Sequence, residues 1–462
     1  MIEGLKARIF LVRNVQFTTE ENEEVSGTFF SALPNPKQND SIIVGRHTWY
    51  SYYAGYSPHF VLKVLEDVSL SPTAVVCDPW NGSGTTTQIA HDIGYPTAGF
   101  DLNPVMVVVA RSRLVMPSQT STLRRNLEEI LRHARSGDTK EVVQSDPLNV
   151  WLKPYATLAV RHIEQAIWKE LTQGIKNSQN NFRSWDVSNE VAFFYTAVFR
   201  CLSRLSKSFR TSNPTWVKVP QNSDDCLCFT IADFARLFET EASQMLSSLA
   251  EEPPILKRVN QIAKVSIEVA SSDALPIESG DVDIVISSPP YCTRIDYAVS
   301  TSLELAFLGF DYHTSVRSLR DRMIGTSTVR DTLPEEDPRW GPTCNRFLRQ
   351  IRNHSSKASQ SYYLKTHLQY FHDIFRSLSE LNRVLRRRGD CLLVVQDSYY
   401  KDIHNDLASI VTEMASSIRW EVVGQQNFPV RLIMARVNRH SRRYRSAGEA
   451  AESVLWFKTS AS

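Results

Sequence analysis

Ala74-Val75-Val76-Cys77-Asp78-Pro79-Trp80-Asn81-Gly82-Ser83-Gly84-Thr85 is the stretch that decides the fold. The apolar residues from Ala74 to Cys77 read as a buried strand. Glycines at 82 and 84 let the backbone of the following turn approach a ligand closely. A helix is expected after Thr85, and its free N–H groups face that turn and favour a carboxylate there. Pro96-Thr97-Ala98-Gly99-Phe100 then reads as a second strand leading into Asp101, with another helix from Pro104. Strand, turn, helix, strand and helix between residues 75 and 106 are the opening βαβ unit of a doubly wound α/β sheet.

The alternation breaks beyond this unit. Helical periodicity dominates residues 113–262, as in Leu158, Ile163 and Ile167, and predicts a large helical insertion. Strand signals resume at Val265-Ser266-Ile267-Glu268-Val269 and again at Val282-Asp283-Ile284-Val285-Ile286-Ser287. Residues 298–360 are polar and arginine-rich and predict a loop-rich insertion, a candidate for target recognition. Leu364, Leu368, Phe371, Phe375, Leu378, Leu381 and Leu385 then mark a long amphipathic helix. It leads to the strand Cys391-Leu392-Leu393-Val394-Val395, and the segments near 419–437 and 453–458 suit a closing β-hairpin. The expected organisation is a β-rich extension over 1–48, core over 49–112, 263–297 and 361–462, and insertions over 113–262 and 298–360.

At 462 residues the chain can bury a large core and hold more than one structural unit. No apolar run approaches the roughly 20 residues needed to cross a bilayer, and the amino terminus lacks a basic segment followed by an apolar one. Seven scattered cysteines form no disulfide framework, and Cys226 and Cys228 lack a second pair at zinc spacing. A reducing cytoplasm, with no membrane and no metal, is therefore expected. The net charge of +2 is too small to announce a nucleic-acid binder. Phosphate contacts need only a local basic surface, however, and Arg386-Arg387-Arg388 and the arginines between 436 and 445 form such clusters.

Two constellations carry chemistry. Asp78, Asp101 and Asp273 end three successive strands, where anionic phosphates fit poorly and an adenosyl cofactor with a sulfonium charge fits well. Asp101 is placed to accept hydrogen bonds from ribose hydroxyls, and Asp273 from an adenine amino group. The second constellation is Ser288-Pro289-Pro290-Tyr291, at the end of the strand 282–287. The lone pair of a base's exocyclic amine is delocalised into the ring and is a poor nucleophile. Acceptors at its hydrogens, the Ser288 hydroxyl and the Pro289 carbonyl, shift it towards an attacking form. Prolines fix that backbone, and Tyr291 offers a face for stacking a base that has left the duplex.

The motifs Asp78-Pro79-Trp80-Asn81-Gly82-Ser83-Gly84-Thr85-Thr86 and Ser288-Pro289-Pro290-Tyr291 resemble those of DNA amino-methyltransferases, the group that makes N4-methylcytosine or N6-methyladenine. The stretch Tyr52-Tyr53-Ala54-Gly55-Tyr56-Ser57-Pro58 sits where that family closes over its cofactor. The resemblance implies a Rossmann-like fold, S-adenosyl-L-methionine as cofactor and double-stranded DNA as substrate. It implies a role in restriction–modification or phage defence, with cognate restriction or defence proteins as possible partners. The implied cofactor residues are Tyr53, Asp78, Pro79, Gly82, Ser83, Gly84, Thr85, Asp101, Asn103, Asp273 and Ala274. Ser288, Pro289, Pro290 and Tyr291 are the implied catalytic set, and Asp296 and Tyr297 the wall near the flipped base. Many N4-cytosine enzymes of this family carry serine at the first acceptor position, which favours cytosine N4 over adenine N6.

Two features depart from the family pattern. The cofactor motif precedes the acceptor motif, the reverse of many N4-cytosine enzymes. The large insertion falls between the second and third strands, so which insertion reads the DNA is open. RNA base methylation and a non-catalytic DNA-binding role are the alternatives.

Overall fold

A computed structural model describes residues 33–37, 45–51, 55–136, 144–172, 185–210, 216–252, 264–292, 295–429 and 451–461. Most of the expected β-rich extension over 1–48 lies outside these residues, and within it Gly45–Thr48 forms a 3₁₀ turn.

The βαβ unit forms where the sequence places it. Helix α1 (Pro58–Asp67) precedes β1 (Val76–Asp78), α2 (Thr85–Ile93), β2 (Thr97–Asp101) and α3 (Pro104–Ser112). Pro58 and Pro104 both stand at the first helical turn, where a missing N–H costs nothing. Four long helices then depart from the sheet: α4 (Thr120–Ser136), α5 (Pro154–Leu171), α6 (Asn189–Leu205) and α7 (Ile231–Ala250). They bury Leu123, Ile130, Ile163, Phe193, Phe199 and Phe238 in one apolar cluster with Val105, Val108 and Val109 of α3. The helical insertion is thus packed onto the core through the outer face of α3.

The chain returns through β3 (Val265–Val269) and β4 (Val282–Ser287), then four helices, α8 (Tyr297–Ser300), α9 (Ser302–Phe307), α10 (Ser315–Arg322) and α11 (Gly341–Asn353). Over 298–360 these short helices alternate with loops, as at 308–314 and 323–337. Arg346, Arg349 and Arg352, which made the segment look polar, are the exposed face of α11, while Cys344, Phe347, Leu348 and Ile351 are buried at helical spacing. Helix α12 (Leu364–Val384) feeds β5 (Leu385–Gln396). A small hairpin, β6 (Ser398–Tyr400) and β7 (Ile403–Asn405), then leads to α13 (Leu407–Ser417), β8 (Glu421–Pro429) and β9 (Ala451–Lys458).

Among the described residues, seven strands form the main sheet in the order β3-β2-β1-β4-β5-β9-β8. The first five run parallel, and β9 is antiparallel to both β5 and β8. That pairing supplies the closing hairpin. The order reverses between β1 and β4, so their carboxyl ends form the switch-point crevice where doubly wound folds bind ligands.

Candidate active site

Val76 pairs with Ile284, and Cys77 with Val285. This register brings two motifs about 200 residues apart in sequence to the same end of adjacent parallel strands. Together they open on one cleft, at the switch point where doubly wound folds bind small molecules. Pro79, Trp80, Asn81, Gly82, Ser83 and Thr85 line it from the β1 turn, and Ser288, Pro289 and Pro290 from the β4 turn.

Asp78 lies beneath the turn and does not line the cleft. Fully buried, its carboxylate accepts from the Trp80 amide at 3.1 Å, from the Tyr56 hydroxyl at 3.2 Å and from the Ser287 hydroxyl. Ser287 directly precedes Ser288, so Asp78 ties the two motifs together. Burial pushes its carboxyl up to about 6. Asp101 does face the cleft. It accepts from the Gly82 amide at 2.9 Å and the Asn103 amide at 2.8 Å, and burial holds its carboxyl at about 6. Asn103 also lines the cleft while capping α3 through Val105.

Gly84 serves packing rather than ligand approach. It sits at φ +84°, and a Cβ there would meet the Ala110 Cβ of α3 at 2.7 Å. Ser83 lines the cleft and accepts at 3.1 Å from the buried Arg113 guanidinium, which fixes its hydroxyl from behind. Asp273 and Ala274 are not on the cleft. The Ala274 amide bonds the Ser271 carbonyl at 3.0 Å, and this tight turn carries Asp273 outward, where it meets the Ser271 hydroxyl at 2.5 Å and Arg376 at 3.1 Å. Ala270, Ser271 and Ser272 line the cleft in their place. Tyr53 lies outside the described residues. From the same stretch, Gly55 and Tyr56 reach the cleft.

On the acceptor side, the Ser288 hydroxyl donates to the Val394 carbonyl of β5 at 3.0 Å. Its hydrogen is committed, so the lone pairs of Oγ remain for an incoming N–H. The Tyr370 hydroxyl of α12 donates to the Pro290 carbonyl at 2.9 Å and pins the Pro-Pro turn. Tyr291 departs from expectation and does not line the cleft. Its carbonyl packs against Gly325, where a Cβ would come within 2.8 Å and where φ is +75°. That close approach holds Arg322, Met323 and Ile324 against the cleft mouth. Tyr297 lines the cleft as expected, but Asp296 does not. The Asp296 carboxylate caps α8 at the Val299 amide (3.1 Å) and pairs with Arg320 at 2.6 Å.

Leu102, Met106, Met323 and Ile324 add walls that no sequence motif signalled. Gly325 was the one local signal for the last two. Among the described residues the cleft has apolar and aromatic walls, the Asp101 carboxylate and the Ser288 hydroxyl as an oriented acceptor. An adenosyl group with a cationic sulfur fits that donor set.

No protein-family model matches the chain. It is similar to Type II methyltransferase M.BsoBI of Geobacillus stearothermophilus, with 26% identity over 328 residues, which cover 66% of this chain and 59% of that protein. It is also similar to Type II methyltransferase M.MvaI of Kocuria varians, with 22% identity over 393 residues and 80% of each chain covered. The first of these matches spans less than two thirds of its relative. Both agree with the resemblance carried by the two motifs. The sheet is the Rossmann-like α/β fold expected of a methyltransferase.

Proposed function

We propose that this protein methylates DNA, moving a methyl group from S-adenosylmethionine to the exocyclic amine of a flipped base, cytosine N4 in preference, in a restriction–modification setting. The observation that carries the reading is the junction of two motifs at the β1/β4 switch point, with the Ser288 hydroxyl oriented as an acceptor. The likeness to Type II methyltransferases supports the substrate class.

When bound, the cofactor supplies an electrophilic methyl on a sulfonium, and the C–S bonding electrons leave with sulfur. The chain's own work is positional. Asp101 would accept the ribose hydroxyls, and Leu102, Met106 and Trp80, which line the cleft, would hold the adenosyl group. The Ser288 oxygen and the Pro289 carbonyl accept the amine hydrogens and draw its lone pair out of the ring. Holding the amine in line with the methyl group supplies most of the acceleration, and the displaced amine proton passes to solvent. Serine at 288 supports cytosine N4 by the family tendency.

Purified protein, labelled S-adenosylmethionine and duplex DNA of mixed sequence are expected to give labelled DNA. Binding of the cofactor without transfer to any DNA sinks the proposal.

The Asp101 ionisation predicts a pH profile for cofactor binding. Its carboxyl titrates at about 6, so it is charged above that pH and accepts hydroxyls fully. Cofactor affinity is expected to fall as pH drops through 6. Asp101→Asn is expected to bind the cofactor roughly 10–100-fold more weakly at pH 8, the loss of one or two charge-assisted hydrogen bonds. The variant should also show a flatter profile below pH 7. Asp78 also titrates at about 6 and is intact in the variant, so an unchanged profile assigns the effect to Asp78 instead.

A further inference from the structure

A second cavity adjoins the active-site cleft, and Tyr297 lines both. One wall comes from Ile295, Ser300 and Thr301, just past the acceptor motif. The other comes from the helical insertion: Arg200 and Arg204 on α6, Lys207 on the 3₁₀ turn Ser206–Phe209, and Arg210. The spacing of four and three residues from Arg200 to Arg204 to Lys207 places them on one face.

Among the described residues, four cations and one carboxylate, Glu241, line the cavity. Arg200 and Arg204 share the carboxylate, at 2.7 and 2.9 Å. Arg200 is further fixed by the Thr48 and Trp49 carbonyls at 3.2 and 3.0 Å. Arg210 donates to the Ser203 hydroxyl at 2.8 Å and lies within electrostatic reach of the buried Glu304 carboxylate. Lys207 and Arg210 are exposed. Two cations anchored by Glu241 and two exposed ones therefore flank the cavity that adjoins the cleft. That surplus of positive charge suits a polyanionic strand, and its position suits the strand that carries the reacting base. Among the other basic clusters, Arg386, Arg387 and Arg388 lie at the amino end of β5, opposite the cleft end of the sheet.

We propose that this groove binds the phosphate backbone of duplex DNA beside the flipped base, so that the helical insertion holds the strand being modified. The proposal rests on the DNA methyltransferase reading and names the part of the chain that grips the substrate. Lys207 and Arg210 make the phosphate contacts, and Glu241 keeps Arg200 and Arg204 extended along the groove wall.

The test compares duplex-DNA binding by the full chain and by the double variant Lys207→Ala, Arg210→Ala across a salt series. Loss of two phosphate contacts is expected to reduce the slope of log K against log salt by about 2 in magnitude. Affinity at low salt should fall roughly tenfold for each residue removed. Cofactor binding and the thermal midpoint should stay at wild-type values, because both side chains are exposed. Arg387→Ala is expected to leave DNA affinity and slope unchanged. If wild-type protein methylates DNA while the double variant keeps its affinity and slope, the groove proposal is overturned and the activity stands. If wild-type protein modifies no DNA, the activity reading fails as well. Binding of structured RNA in place of duplex DNA also overturns the groove assignment.

Discussion

Ser288→Ala is expected to reduce methyl transfer by roughly 10²–10³-fold, the cost of removing one preorganised polar group aimed at the reacting atoms. The hydroxyl donates to the Val394 carbonyl at 3.0 Å, so in the wild-type protein it presents only lone pairs to the amine. Alanine removes that acceptor and leaves the Val394 carbonyl without this donor. The Pro-Pro turn should survive, because Tyr370 still pins the Pro290 carbonyl. Asp78 still joins the β1 turn to Ser287. Cofactor affinity should therefore stay within about twofold of wild type, and the loss should appear in kcat. Single-turnover transfer with cofactor and DNA both saturating measures this directly. A variant with wild-type kcat shows that Ser288 plays no part in the chemistry.

Arg46→Met is expected to destabilise the protein by about 3–5 kcal/mol, the usual cost of breaking a buried ion pair on one side. Arg46 is 2% exposed. Its guanidinium meets Asp92 of α2 at 2.5 Å and Glu252, just past α7, at 2.9 Å. It also donates to the carbonyls of Arg113 at 2.8 Å and Val115 at 3.2 Å. One side chain thus ties the segment before α1, the helix behind the cofactor turn, the end of α3 and the helical insertion. Methionine fills much of the volume but leaves two buried carboxylates without their cation. Against a total of about 5–15 kcal/mol for a typical domain, the loss is a large fraction. Urea midpoints measure it. A change below about 1 kcal/mol shows that water or neighbouring groups satisfy the carboxylates without Arg46.

The β1–turn–α2–β2 unit was legible because its signals are local: a buried apolar run, glycines at fixed offsets, and proline at a helix start. The pairing of two distant motifs was legible only through the rules of doubly wound sheets, which bring the ends of β1 and β4 together. The direction of each carboxylate was not legible. Asp78, Asp101 and Asp273 all follow strand signals, yet only Asp101 lines the cleft. Asp78 is turned under by bonds to Trp80, Tyr56 and Ser287, and Asp273 is carried outward by a turn closed between Ser271 and Ala274. Those turns depend on one or two hydrogen bonds each, too little to leave a periodic trace in sequence.

Helix α11 was not legible for a related reason. Arginines on the exposed face of α11 outweighed four buried apolar positions in a short amphipathic segment. The wall formed by Met323 and Ile324 was hidden because its approach depends on Gly325 meeting the Tyr291 carbonyl, more than 30 residues away. The basic groove was hidden by composition. A net charge of +2 over the whole chain averages away a local excess that appears only when α6 is folded beside the segment following Ser288.

The central claim is methyl transfer to an exocyclic amine of a DNA base, and nucleoside mass spectrometry of DNA incubated with the protein and S-adenosylmethionine tests it most directly. N4-methylcytosine should appear, and Ser288→Ala should remove it under the same conditions. N6-methyladenine in its place would keep the chemistry and overturn the cytosine preference. DNA carrying only 5-methylcytosine, or no added methyl group at all, would contradict the claim.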